Sequence, residues 1–241
     1  MATGALLNTA GIVTGGLLGL VLRRAPSVRA QLFLRSVLGA STIFFGLRLV
    51  WLNINGSFLS CLEQLLAALL AVALGFWLGR LLRLQKISDR LGQRSVRLLA
   101  AARSRAPGAA ADSFSACAIL FCAAPLAWLG AISDGLSGFF WLLTVKAVMD
   151  GLGTMGFAQM FRWAPILSAV PVFVFLSFLT LACRLYAAPF LEARHLGAPV
   201  NAAAGLVACT VALVILEIRK VELANFLPAL AVAPLLAAWL R

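Results

Sequence analysis

"GALLNTAGIVTGGLLGLVL", residues 4–22, holds no charged side chain and is followed at once by Arg23 and Arg24. A run of this length matches the roughly 20 apolar residues that a helix needs to cross a bilayer. Its order is not that of a secretory signal, in which positive charge precedes the apolar core. Gly11, Gly15 and Gly19 recur every four residues. That spacing makes a smooth face on which another helix backbone can approach closely. The stretch therefore reads as a membrane-spanning helix built to pack against a neighbour.

The rest of the chain repeats the pattern. Of its 241 residues, 63% are hydrophobic and 12% charged, with mean hydropathy +1.01. Soluble domains are about half apolar and a quarter charged. Eight apolar stretches qualify as crossings: about 4–22, 32–52, 58–79, 113–133, 139–160, 165–186, 199–217 and 225–240. The eighth is short and holds Pro228 and Pro234, so a re-entrant segment and seven crossings is the alternative. Leu, Ala and Gly dominate these runs, and none alternates as a transmembrane strand would. The expected fold is an all-α polytopic transmembrane helical bundle of 7–8 spans. It divides into spans one to three (1–79), a basic linker (80–112) and spans four to eight (113–241), within one integral membrane domain.

The net charge of +12 lies in short clusters between the apolar runs. Arg23, Arg24 and Arg29 follow span one. Residues 80–105 hold Arg80, Arg83, Lys86, Arg90, Arg94, Arg97, Arg103 and Arg105 against a single acid, Asp89. Arg162 follows span five, and Arg219 and Lys220 follow span seven. With eight crossings all these clusters fall on one side, which the positive-inside rule makes the cytoplasm. They read as topology signals and headgroup contacts, not as a nucleic-acid surface. Within 80–105, Leu81, Leu84, Ile87, Leu91 and Leu98 recur near helical spacing beside a stripe of Arg83, Lys86, Arg90, Arg94 and Arg97. This predicts a basic amphipathic helix on the cytoplasmic leaflet, touching lipid headgroups. A solvated basic linker is the competing reading, and "SRAPGAAAD" (104–112) after it reads as a flexible join.

Soluble-enzyme chemistry does not appear. Cys61, Cys117, Cys122, Cys183 and Cys209 lie in apolar runs, and none forms C-x-x-C. They read as small buried hydrophobes. His195 is the only histidine, in a loop outside the apolar core. No catalytic set, phosphate loop, metal site or cofactor is expected, and the chain is read as not an enzyme.

Charges inside the membrane carry the function. "LLTVKAVMDGLGTMGF", residues 142–157, puts Lys146 and Asp150 four residues apart near the middle of span five. Residues i and i+4 share a helix face and can pair. An unpaired charge at the bilayer centre costs at least roughly 2.5–3.5 kcal/mol. Gly151, Gly153 and Gly156 follow and predict a softened helix with freed carbonyls. Together they suggest an ion or substrate site at the midplane. A structural salt bridge fixing helix register is the competing reading. Arg48 and Glu63 flank the loop "NINGS" (53–57) at similar depth and predict a structural ion pair across the hairpin. Asp134 would line an outer entry, or be an ordinary turn residue. Asn8, Asn201 and Asn225 are placed to hydrogen-bond across helices. Pro125, Pro165 and Pro171 predict kinks.

Four stretches in order, "GALLNTAGIVTGGLLGLVLRR" (4–24), "LFCAAPLAWLGAISDGLSG" (120–138), "LLTVKAVMDGLGTMGFA" (142–158) and "KVELANFLPALAVAPLL" (220–236), resemble a bacterial membrane family. This is the domain of unknown function 554 family, the YdfK/YqgA-like proteins. The resemblance includes the polar residues Asn8, Asp134, Lys146, Asp150 and Asn225, with Cys and Ala in places where other small residues are expected. It implies a polytopic protein of the bacterial inner membrane and says little about mechanism.

The expected function is a transporter or channel for an ion or small solute. Asp150, Lys146, Asp134, Gly151, Gly153 and Asn8 would form its binding residues, and Asp150 would take a cation or proton. The alternative is a non-transporting scaffold or regulator acting through residues 80–105. Membrane lipid, a small ion or solute and a second copy packed through the glycine faces are the expected partners.

Overall fold

The computed structural model describes residues 2–22, 27–104 and 109–239. Arg23, Arg24 and Arg105, counted above as topology signals, lie outside these residues, as does 105–108 of the join. The described chain is helical, with no strand among its residues. The helices are α1 (Thr3–Val21), α2 (Val28–Leu52), α3 (Phe58–Leu81), α4 (Leu84–Ser104), α5 (Ala109–Ala123), α6 (Pro125–Ser137) and α7 (Trp141–Phe161). They continue with α8 (Ala164–Leu167), α9 (Ala169–Ala182), a π-helical turn (Cys183–Ala187), α10 (Ala188–Ala193) and α11 (Gly197–Ile215). A 3₁₀ turn (Leu223–Phe226) and α12 (Ala229–Trp239) end the described chain.

Five segments are long and apolar enough to cross a membrane: α1, α2, α3, the run Ala164–Ala193 and α11. A sixth is added if α5 and α6, bent by 55° where Pro125 interrupts the backbone ladder, form one broken span. Eight were expected. The two that fall short do so for different reasons. Lys146, Asp150 and three glycines lower the hydropathy of α7, and other helices wall in much of its surface. A helix inside protein needs no lipid-compatible face. The last apolar stretch, Leu223–Trp239, is short and broken by the 3₁₀ turn, with Pro234 inside α12.

The chain folds into two compact units that interleave along the sequence. Unit one holds Met1–Ser27, Lys86–Asp134 and Phe140–Leu181. Its core gathers Ala5 and Ile12 of α1, Cys117 and Phe121 of α5, Ala127 and Ala131 of α6, Leu143 of α7 and Val172 and Leu176 of α9. Here α1 and α7 run parallel, because Gly11, Gly15 and Gly19 meet Ala147, Gly151 and Met155 in ascending order. A Cβ added at these glycines would lie 2.3, 2.1 and 2.4 Å from the facing carbonyl oxygens. Only glycine allows this backbone-to-backbone contact.

Unit two holds Val28–Gln85, Gly135–Phe139 and Ala182–Arg241. Here α2 and α11 are antiparallel, with Gly46 against Gly205 and Gly39 against Leu216. Helix α3 is antiparallel to α12, with Gly75 against Ala229 and Gly79 against the Asn225 carbonyl. The glycine faces of α1 and α3, open in sequence to a second copy, are occupied within the chain. An assembly of copies would have to use other surfaces. Asn201 donates to Asn53 Oδ1 at 2.9 Å, and Arg35 pairs with Glu217, a partnership the sequence did not indicate.

Candidate functional site

The site is built in unit one where α1 crosses α7. Asn8 shares a face with Gly11, Gly15 and Gly19, so the close approach of the two backbones brings its amide to α7. On α7, Lys146, Asp150 and Thr154 occupy successive turns of one buried stripe. Lys146 Nζ donates to Asp150 Oδ2, closing the i, i+4 pair that the spacing predicted. Asn8 Nδ2 donates to the same oxygen at 3.0 Å. Lys146 is 1% exposed, Asp150 8% and Asn8 not at all. The ammonium also sits 5.6 Å from the centre of the Phe121 ring on α5, within reach of a cation–π contact. Thr154 Oγ1 donates to the Asp150 backbone carbonyl at 2.7 Å.

Two features of this arrangement point outward. Both donors converge on Oδ2 of Asp150, so Oδ1 receives neither. Asn8 Oδ1 is buried with no hydrogen-bond partner. Its amide cannot turn round to satisfy it, because the oxygen would then face the carboxylate. A buried acceptor left unmade costs about 1–3 kcal/mol. The buried cluster thus holds balanced charges and a side-chain oxygen, Asn8 Oδ1, that accepts no hydrogen bond.

The glycines after Asp150 play a different part from the one expected. Helix α7 stays helical from Trp141 to Phe161, so no carbonyls are freed at Gly151 or Gly153. Gly151 is a packing residue: a Cβ there would lie 2.7 Å from the Gly11 carbonyl oxygen. Gly153 has Phe121 at 3.8 Å, ordinary contact, and Gly156 faces open space. Close packing against α1 holds the helix together where propensity alone would loosen it.

Asp134 is buried on α6, and its Oδ2 accepts from the Gly4 N–H at 3.1 Å. It is neither a turn residue nor an exposed entry group. It caps the N-terminus of α1, whose Ala2 has no capping side chain, and its charge complements the helix dipole. Gly4 lies one turn before Asn8, so this cap fixes the end of the helix that carries the site. Asp134→Ala is expected to lower stability by about 0.5–2 kcal/mol. Thermal unfolding of the detergent-solubilised protein would read this, and an unchanged midpoint would remove the cap.

The expected Arg48–Glu63 pair does not form. The two side chains leave their helices on different faces. Arg48 lines a cavity with Cys61, Leu62 and Leu65, and Glu63 lines another with Ala67, Ala68, Ala202 and Ala233. Gln64 closes the hairpin instead, donating to the Asn55 carbonyl at 2.8 Å and accepting its N–H at 3.2 Å.

The basic segment is the helix α4, set off from α3 by Arg83 at φ 55°. Arg83, Lys86, Arg90, Arg94 and Arg97 are all exposed. From Lys86 onward α4 seats on unit one through buried Ser95 and Ala102, and Ser88 Oγ donates to the Ala123 carbonyl at 3.1 Å. Its predicted apolar stripe is split: Leu84 and Leu98 are half-buried, while Leu81, Ile87 and Leu91 are exposed beside the basic row. Asn225, expected to hydrogen-bond across helices, reaches the start of α4. Its Oδ1 accepts the Gln85 N–H at 3.2 Å, while Gln85 Oε1 accepts the Ala224 N–H at 3.1 Å.

Residues 3–238 match the model of a family described as "Protein of unknown function (DUF554)". The chain is 28% identical over 241 residues to "Uncharacterized protein YqgA" of Escherichia coli (strain K12), covering 99% of this chain and 98% of that one. It is 21% identical over 235 residues to "Uncharacterized membrane protein YdfK" of Bacillus subtilis (strain 168), covering 96% and 93%. No solved structure matches it.

Proposed function

The chain belongs to the DUF554 family, and from that membership and its apolar helices we propose that it is a multi-pass bacterial inner-membrane protein that carries a small ion or solute across the bilayer. Asp150 is the binding carboxylate. Lys146 balances its charge when the site is empty, and an incoming cation or proton competes with the lysine for it. Asn8 supplies a second oxygen. The observation that carries this reading is the unpartnered Asn8 Oδ1, fully buried beside a membrane carboxylate whose Oδ1 takes neither donor. Intramembrane ionisable residues mark ion and substrate pathways by default. A bridge kept only for helix register has no use for an open acceptor.

Helix direction supports counting both the bent α5–α6 pair and α7 as crossings, and the positive-inside rule then makes the basic loops cytoplasmic. Alternating crossings make the first and fifth spans parallel, and the second antiparallel to the seventh. That is how α1 runs with α7 and α2 with α11.

Flux in proteoliposomes tests the reading. A panel of monovalent cations, amino acids and organic acids is offered with and without a proton gradient. Flux of one class is expected in the wild type and is expected to vanish in Lys146→Met/Asp150→Asn, which removes the binding group without stranding a buried charge. A double variant that transports as well as wild type overturns the proposal.

A second reading rests on α4. Its exposed basic row beside exposed Ile87 and Leu91 suits a helix that lies on an anionic leaflet or docks a cytoplasmic partner. In a non-transporting scaffold, neutralising Arg83, Arg90, Arg94 and Arg97 destroys function while the double variant above is tolerated.

A further inference from the structure

In unit two, α2 and α3 diverge from the turn at 53–57 and leave a cavity of about 920 Å³. This lies in the range of roughly 300–1,000 Å³ typical of small-molecule sites. Phe44, Leu47 and Trp51 form one wall, Phe58, Leu62 and Leu65 the other, and Leu206 of α11 also lines it. The single charged residue in the lining is Arg48. Among the described residues it makes no hydrogen bond or ion pair, and Glu63, its expected counter-ion, lines a different cavity. Arg48 lies one turn from the end of α2, the depth at which a long basic side chain reaches the headgroup region. A guanidinium at the head of an apolar groove is complementary to one kind of molecule: an anionic headgroup with a hydrocarbon tail. Its planar fork suits a phosphate diester better than a lysine would.

We propose that this groove is a binding site for an anionic phospholipid, with its phosphate on Arg48 and an acyl chain along Phe44, Leu47, Leu62 and Leu65. The site is independent of Asp150, and its occupant is a resident lipid rather than a transported solute. It differs from the diffuse attraction that the exposed α4 row exerts on any anionic surface.

The probe is an equimolar mixture of phosphatidylglycerol and phosphatidylcholine. The whole chain is reconstituted in that mixture, extracted in mild detergent and weighed by native mass spectrometry. Wild type is expected to retain phosphatidylglycerol in preference. Arg48→Gln is expected to reduce that retained lipid about tenfold or more, the loss of a charge-assisted contact. Arg48→Lys retains an intermediate amount. Leu62→Trp, which fills the groove and leaves the arginine, also removes the lipid. A triple Arg90→Gln/Arg94→Gln/Arg97→Gln variant keeps it. The proposal is overturned if wild type holds both lipids equally, if Arg48→Gln changes nothing, or if only the α4 triple variant loses phosphatidylglycerol.

Discussion

Gly15→Ala is expected to melt unit one well below wild type, by about 1–3 kcal/mol or more of lost stability. The added methyl would lie 2.1 Å from the Gly151 carbonyl oxygen, a backbone atom that cannot swing aside. Helix α1 must move away from α7, and the strain spreads to Gly11 and Gly19, which hold the same contact line. Alanine favours helix over glycine by about 1 kcal/mol, an effect of opposite sign, so the observed loss understates the clash. Gly156→Ala is the matched control. It lies on α7 with nothing within 4 Å of its would-be Cβ, so only the helix term remains and the variant should gain about 0.5–1 kcal/mol. Thermal unfolding in detergent, followed by loss of a monodisperse chromatographic peak, compares the three proteins. A Gly15→Ala protein that melts with wild type would refute the backbone contact. The same displacement would draw Asn8 off Asp150, so the variant should also lose whatever the site does.

That contact was partly legible. A four-residue glycine repeat announces a face for close approach, and the i, i+4 spacing of Lys146 and Asp150 announces their pair. Asn8 in an uncharged run announced a polar contact across helices. What the sequence withheld was mostly rotation. A helix in lipid is apolar on every side, so its sequence carries little of the one-sided pattern that orients a helix in a soluble protein. Arg48 and Glu63 sit at one depth, yet they leave α2 and α3 on faces that do not meet. Arg35 instead finds Glu217 across 182 residues of chain. The glycines after Asp150 depart from expectation for a related reason. Read alone they weaken a helix, but with α1 laid against Gly151 they let one form tightly. Helix α7 falls below the hydropathy of a lipid-facing crossing because it faces protein, and hydropathy measures fitness for lipid.

The largest effects should come from the charges themselves. Asp150→Asn leaves the Lys146 ammonium, 1% exposed, facing the Phe121 ring and a neutral amide. Lys146→Met leaves the Asp150 carboxylate with the Asn8 amide as its one remaining side-chain donor among the described residues. Each single variant strands a buried charge and is expected to lose about 3–5 kcal/mol. The double variant strands nothing. Methionine fills the lysine's volume, asparagine keeps the carboxylate's shape, and replacing a buried pair outright is often neutral or even stabilising. Unfolding of the four proteins in one detergent closes the cycle. Recovery in the double variant shows a coupling energy equal in size to the two single losses together. Failure to recover would mean that the pair holds α7 in register through its charge and that structure alone explains it. Recovery has the opposite consequence. If α7 folds as well with Met and Asn as with Lys and Asp, stability supplies no reason to keep two charges inside the membrane. That outcome favours the proposed reason, a ligand taken by the carboxylate. That is why the variant that restores the fold is also the one in which flux must disappear.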